Sequence, residues 1–392
     1  MYIYLIYGAL AAWLLIELFR EKSNTRADRI LFLALGILFA VRFNMGPDQD
    51  TYYYLFHWIE TPVKGVFEYG FQRNLLFSIL VYWSKVFLKE YRWFILIVNL
   101  ICMGLMSYVV WKKSRNLLLS MLLFLGAGYM AVYYSSAIRQ MIAMCLYLFG
   151  FYEFLPKKQY LRYEIFVIAA VLFHEAALPA LVIPLLYRLV PVFQKKPGKL
   201  IGISLCIAIG LTVIFTAVLP PLVQSIAGTP WAPFMHILKY LLAPSSSFMG
   251  IAMESVFGVG ILVLYHEMDS HDEEFLQFEV LVFLFSVFLY FCFSSFSLMS
   301  RVSDFLQFII VILLPEMLSR ISSRKRRAAV LMSLIVLNGF LLYKDLSDIL
   351  PKISEGMTLN DYQYFTVFEK EKTDRFLEIS GCDLSQEARD GA

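Results

Sequence analysis

The sequence predicts an all-α fold: a polytopic integral membrane helical bundle of about 10–12 spans with some re-entrant or short helices. Three observations lead there. Of 392 residues, 59% are hydrophobic and 17% aromatic, and only 17% are charged, against ~25% in ordinary soluble domains. The mean hydropathy is +0.66, and so few charges could not cover that much apolar surface on a soluble globule. The apolar runs are continuous and long enough for helices, where barrel strands would alternate. These features exclude a soluble enzyme, a disordered chain and a fibrous protein. A formal net charge of +3 gives no argument for nucleic acid.

A helix needs about 20 mostly apolar residues to cross the hydrocarbon. In chain order the candidate spans are Tyr2–Phe19, Ile30–Phe43, Trp93–Trp111, Leu117–Tyr134, Ala137–Leu155, Leu200–Leu219, Phe248–Tyr265, Phe275–Phe293, Val302–Leu318 and Ala328–Tyr343. The first has no basic flank or small-residue cleavage site, so it reads as a span and not as a cleaved signal. Of the five cysteines, Cys102, Cys145, Cys206 and Cys292 lie inside apolar runs, Cys382 lies near the end, and none forms a C-x-x-C pair. They read as small hydrophobes with no disulfide frame and no metal site. No repeat or low-complexity segment is evident. The organisation is one transmembrane catalytic domain, residues 1–343, followed by a polar tail, residues 344–392.

Lys and Arg concentrate in cytoplasmic loops. Five short stretches, Arg20–Arg29, Lys112–Asn116, Pro156–Tyr163, Arg188–Lys199 and Ser319–Arg327, hold nineteen of the 34 positive residues and are placed inside. Asn44–Gly70, Pro220–Ser247 and Ser294–Arg301 carry one each and face outward, together with the acidic tail. Two stretches break this alternation. Leu75–Leu88 then fits as a short, interfacial or re-entrant helix. Ile165–Tyr187, flanked by basic loops on both sides, must enter and return, with legs of roughly 15–20 Å and a bend near His174–Pro179. Irregular backbone at membrane depth is tolerated only where it is buried in protein or lines a wet cavity, which places His174 at a cavity wall.

Ionisable residues in or beside spans are functional candidates. The string R-F-N-M-G-P-D-Q-D-T-Y supplies Arg42, Gly46, Asp48, Asp50 and Tyr52. Gly-Pro-Asp is also ordinary turn chemistry, and an Arg at a helix end can snorkel. Glu68, in E-Y-G-F, precedes an apolar helix, where a carboxylate also suits the helix dipole. Arg139, followed by Gln140, opens a span, where a cation opposes the dipole. His174 and Glu175 sit at the expected bend, and a neutral imidazole suits proton transfer. Arg301 opens a late span with Asp304 three residues on, which also fits a plain ion pair. Arg42, Arg139 and Arg301 fall at outer helix ends, as a site for an anionic substrate requires. Nucleotide-binding and common hydrolase motifs are missing from the sequence.

Read in order, these groups resemble the EpsG family of Wzy-type polysaccharide polymerases: Arg42 then Gly46, Asp48 and Tyr52; Glu68, Gly70 and Phe71; Ile138, Arg139 and Gln140; Phe173, His174 and Ala177; and Arg301 before Pro315, with an aromatic ending D-Y-Q-Y-F-T-V-F. Ala176 stands where the family often has Ser. The resemblance implies a glycosyltransferase C-like membrane fold and a glycosyltransferase activity. Repeat units carried on undecaprenyl pyrophosphate are joined into an exopolysaccharide, capsule or O-antigen at the outer leaflet of the cytoplasmic membrane. It implies no cofactor and no metal. The expected partners are the lipid-linked oligosaccharides, the bilayer and a chain-length regulator.

In that setting Arg42, Arg139 and Arg301, with Gln140, Asp50 and Tyr52, would bind pyrophosphate and sugar. His174, Asp48 or Glu68 would take the acceptor proton, with His174 favoured for its depth. Two other classes remain: a flippase for the same lipid-linked sugars, disfavoured because no inverted repeat is visible, and a membrane acyltransferase acting on the glycan.

Overall fold

The computed structural model describes residues 2–20, 23–62, 74–226, 248–269, 273–292, 297–354, 357–358, 362–380 and 382. Among them the regular elements are all helices, joined by turns and loops, apart from one isolated antiparallel bridge between Arg42 and Thr366. The helices are α1 (Tyr2–Arg20), α2 (Arg26–Ala40), α3 (Gln49–Trp58), α4 (Leu75–Leu88), α5 (Tyr91–Lys113), α6 (Leu117–Leu125), α7 (Ile138–Phe154), α8 (Tyr160–Phe173), α9 (Pro197–Ile226), α10 (Phe248–Glu267), α11 (Glu274–Cys292), α12 (Ser297–Gln307), α13 (Ile310–Ser319), α14 (Arg324–Ile353) and α15 (Lys370–Ile379). Among the described residues, six helices are long and apolar enough to cross a membrane, and a seventh span arises if α12 and α13, bent by 44°, count as one. The apolar helix Leu75–Leu88 is shorter. The chain is a polytopic helical membrane protein; the described residues hold six or seven full-length spans where the sequence predicts ten to twelve.

The difference arises where helices break. Leu117–Tyr134, expected as one span, is α6 followed by a π-helical turn, Tyr129–Tyr134. Gly126, Ala127 and Gly128 separate them, with φ of 49° at Ala127 and 78° at Gly128. The left-handed region is open to glycine at no steric penalty, and Gly126 is needed for closeness. A Cβ there would lie 2.2 Å from the Asn338 side chain, whose amide donates to the Leu122 carbonyl in the last turn of α6 (2.6 Å), beside the bond that carbonyl accepts from the Gly126 N–H (3.2 Å).

The stretch after Pro156 is a helical hairpin. α8 rises for 14 residues, about 21 Å at 1.5 Å per residue, and ends at Phe173. His174 is extended, and a 3₁₀ segment, Glu175–Val182, begins the return. The Tyr163 hydroxyl, low on the first leg, donates to the Ala180 carbonyl (2.8 Å). The Tyr187 hydroxyl reaches the Leu155 carbonyl (3.2 Å), and the Tyr187 ring lies 6.2 Å from that of Tyr160. The legs therefore run antiparallel with His174 at the apex. The first is too short for a hydrocarbon core of ~30 Å, but the return, Glu175–Lys195, is one of the six segments long enough to cross, so it is longer than the short second leg expected from the sequence. α4 is the short helix expected at Leu75–Leu88. It buries Phe77, Ser78, Val81 and Ser84 and packs between α3, α5 and α8.

α14 continues without a break through the boundary expected at 343/344, to Ile353. Beyond it the chain returns to the bundle. Tyr362, Phe365, Val367, Phe376 and Leu377 are buried, and Phe365 stacks on Phe43 with ring centroids 5.6 Å apart.

Gly126→Ala must push Asn338 off the Leu122 carbonyl. We expect a loss of about 1–3 kcal/mol, seen as a lower unfolding temperature in detergent. Gly8→Ala, with nothing within 4 Å of the new Cβ, is the control and should leave the transition in place. Equal melting of the two variants would contradict the packing at Gly126.

Candidate functional site

The first wall of the site is built where α2 ends. Arg42 leaves the helix in extended backbone. Phe43 N–H donates to the Phe365 carbonyl and Val367 N–H to the Val41 carbonyl, both at 3.0 Å. Asn99 donates to the Arg42 carbonyl (2.7 Å) and accepts from Asn44, whose amide also reaches the Tyr134 carbonyl (3.0 Å). Gly46 then passes so close to the π-turn that a Cβ would sit 2.4 Å from the Ser135 carbonyl. Only glycine fits there. Gln49 donates to that same carbonyl (3.2 Å). The start of α3 is thereby pinned to the residues that lead into α7.

Arg42 itself is 0% exposed. Its Nη1 donates to Ser135 Oγ (3.0 Å) and its Nη2 to the Tyr362 hydroxyl (2.6 Å). The rings of Tyr362 and Tyr2 lie 5.0 and 5.8 Å from its guanidinium carbon. It is enclosed by protein, not placed at a cavity mouth.

The second wall is α7. Arg139, in its first turn, is half-buried, with its guanidinium carbon 5.8 Å from the ring of Tyr52 and 5.9 Å from that of Phe77. Tyr52 is 2% exposed and lies within electrostatic reach of Arg139, Asp48 and Arg301. Asp48 starts α3 and makes no cap bond to its backbone. Asn74, at the head of α4, joins two parts of the site. Oriented to satisfy both neighbours, its amide donates to the Phe173 carbonyl (2.9 Å) and accepts from Arg139 Nη1 (2.6 Å).

The third part is the hairpin apex. His174 is 4% exposed, with Glu175, Arg139 and Arg301 in electrostatic reach. Its Nδ1 accepts from the Ala176 N–H (3.2 Å), capping the 3₁₀ segment. A neutral imidazole that accepts at Nδ1 carries its hydrogen at Nε2. The backbone makes this contact, so the Ala176 side chain takes no part in it.

The fourth part is α12. Gln140 is buried and donates to the Arg301 carbonyl (2.8 Å). This holds the head of α12 against α7 through the backbone of Arg301, whose side chain is exposed. One turn on, Asp304 accepts from the Tyr133 hydroxyl and lies within reach of Arg301.

Asp48, Tyr52, Arg139, His174 and Arg301 thus come together from four segments, with Gln140 holding two of them. Asp50 does not join them: its carboxylate accepts from Thr51 (2.5 Å), and its electrostatic neighbours are Tyr91 and Cys382. Glu68, Gly70 and Phe71 lie outside the described residues. Sequence reasoning missed Asn74, Tyr133 and Tyr362. Asn74 had a signal, since an Asn directly before an apolar run is a helix-start residue. Tyr362 belongs to the aromatic ending of the family pattern, which carried no role there, and Tyr133 had no signal. Among the described residues, no three His, Cys, Asp or Glu side chains are grouped to hold a metal ion.

No curated protein and no solved structure matches the chain. The family model described as the EpsG family matches residues 26–363, a span that contains every one of the converging residues. The chain belongs to the EpsG family.

Proposed function

We propose that this protein is a polymerase that joins oligosaccharide repeat units carried on polyprenyl pyrophosphate, working at the outer leaflet of the cytoplasmic membrane. Membership in the EpsG family suggests a polysaccharide-polymerase type of activity. The observation that supports the finer reading is the approach of Arg139 and Arg301, from separate helices, to the apex imidazole of a broken hairpin.

In the reaction, the bond between the anomeric carbon of the growing glycan and its pyrophosphate oxygen breaks. A bond from an acceptor hydroxyl oxygen to that carbon forms. The acceptor proton passes to a protein base, and polyprenyl pyrophosphate departs with the bonding electron pair. Negative charge grows on the leaving group, and preorganised cations in a low-dielectric cleft stabilise it. Arg139 and Arg301 supply them. His174, with hydrogen at Nε2, donates to a pyrophosphate oxygen. Its Nδ1 is held by the Ala176 N–H, so the base role moves to Asp48, whose carboxylate makes no cap bond. Glu68 is the second carboxylate of the family pattern. Arg42, with both terminal nitrogens bonded inside the protein, belongs to the framework.

An apolar groove of about 480 Å³, lined by residues such as Leu189, Phe193, Leu205, Leu281 and Phe285, fits a polyprenyl chain. A chain-length regulator is a further partner in this reading.

Purified protein in detergent, given only lipid-pyrophosphate oligosaccharide, should produce a ladder of longer lipid-linked products with no nucleotide sugar. Arg139→Ala and Arg301→Ala should each slow the ladder by about 10²–10³-fold, with the melting transition kept. His174→Gln should slow it by at least about 10-fold. Full turnover in both arginine variants would remove these side chains from the site. A wild-type protein that never extends its substrate, yet moves it across a vesicle membrane, would establish the flippase.

A further inference from the structure

We propose that the chain after α14 is a working part of the site wall, and that Tyr362 is a positioning residue acting through Arg42 and Ser135 on Arg139. Tyr362 lies 61 positions beyond Arg301 in sequence, and among the described residues its hydroxyl bonds are to Arg42 and Ser135, not to the converging residues. What it touches is the buried cation. Among the described residues no carboxylate pairs with Arg42: its partners are the hydroxyls of Ser135 and Tyr362 and the rings of Tyr2 and Tyr362. A buried charge needs its few partners, and losing one leaves a donor with nothing to replace it.

Those partners tie three parts of the chain together. Tyr362 OH lies 3.3 Å from Ser135 Oγ as well as 2.6 Å from Arg42 Nη2. Ser135 Oγ also bonds the Met130 carbonyl (2.9 Å), which closes the π-turn. The Ser135 carbonyl holds Gln49, next to Asp48. Arg139 follows Ser135 by four residues, across the break that separates the π-turn from α7. Release of Arg42 therefore loosens the joint that sets the start of α7, and a displacement near 1 Å far from the reacting atoms can slow an enzyme about 100-fold.

A neighbouring tyrosine provides the comparison. Tyr364 lies on the same segment and packs against Tyr2, but its hydroxyl donates to the Leu38 carbonyl (2.9 Å) and not to Arg42. Tyr362→Phe and Tyr364→Phe each remove one oxygen from the docked segment, and only the first withdraws a partner from the cation.

The test uses full-length protein in detergent with two readouts. Hydrogen exchange at residues 135–139 should speed up by about 10-fold or more in Tyr362→Phe and stay within twofold in Tyr364→Phe. The rate of ladder formation rests on the polymerase reading. It should fall by about 10- to 100-fold in Tyr362→Phe, with Tyr364→Phe within twofold of wild type. Equal behaviour of the two variants in exchange overturns the proposal, because the segment would then only dock. Selective loosening accompanied by an unchanged ladder also overturns it. Selective loosening in a wild-type background that makes no ladder keeps the Tyr362–Ser135 connection and removes the polymerase reading.

Discussion

Away from water, a backbone that leaves its helix must find partners for every amide and carbonyl it frees. The site of this protein is made of such departures, and each is closed by a polar side chain from elsewhere. At the end of α2, Asn99 takes the Arg42 carbonyl. In the last turn of α6, Asn338 adds a second bond to the Leu122 carbonyl, which already accepts from the Gly126 N–H. At the hairpin apex, Asn74 takes the Phe173 carbonyl and the His174 ring takes the Ala176 N–H. Inside α12, where the backbone does not leave the helix, Gln140 adds a bond to the Arg301 carbonyl. The groups that repair the backbone are thus the ones that set the candidate side chains in place, and a short polar residue inside an apolar run marks where the chain can break.

This coupling separates the arginines by role. Arg42 lies on the framework side. Its terminal nitrogens are bonded to hydroxyls, its faces are covered by two aromatic rings, and its backbone pairs with residues 365–367. Arg301 has the opposite arrangement, with its backbone tethered by Gln140 and its side chain exposed. Arg139 stands between the two, half-buried, stacked near Tyr52 and bonded to Asn74. A guanidinium positioned through its own backbone can meet a ligand without giving up its packing. One held by its side chain has no remaining geometry to offer.

The class of fold was legible because it depends on averages: composition and run length settle a helical membrane protein without any contact being known. The hairpin at His174 was legible for a related reason. Basic turns on both sides of Ile165–Tyr187 required an even number of crossings in too few residues, and the physics of the bilayer then required a bend. Continuous apolarity hid the breaks at Gly126–Gly128 and after Gln307, because Leu117–Tyr134 and Val302–Leu318 are each apolar enough to read as one span. What decides there is local: positive φ at Gly128, the close approach of Asn338, and a 44° bend. The enclosure of Arg42 was invisible for a third reason. Its partners Ser135 and Tyr362 are 93 and 320 residues away, and no periodicity links a loop after the second helix to an aromatic stretch near the end of the chain.

The same distance explains why a polar, acidic ending belongs in a membrane enzyme. Buried guanidinium needs oxygen partners, and an apolar helix has few to give. A segment outside the spans can carry Tyr362, Phe365 and Val367 on one side and charges on the other. α15 follows this pattern, burying Thr373, Phe376 and Leu377 while Glu371, Asp374 and Arg375 are exposed and Glu369, just before it, is half-buried. There the Lys372 ammonium and the Thr366 N–H hold the Glu369 carboxyl below the usual carboxylate range, so the residue stays charged and keeps that face in water. The buried face supplies hydroxyl and ring to Arg42, and the wetted face keeps the segment from sinking into the bilayer. Amphipathic in this sense, the ending packs against the Arg42 end of the bundle through Tyr362 and Phe365.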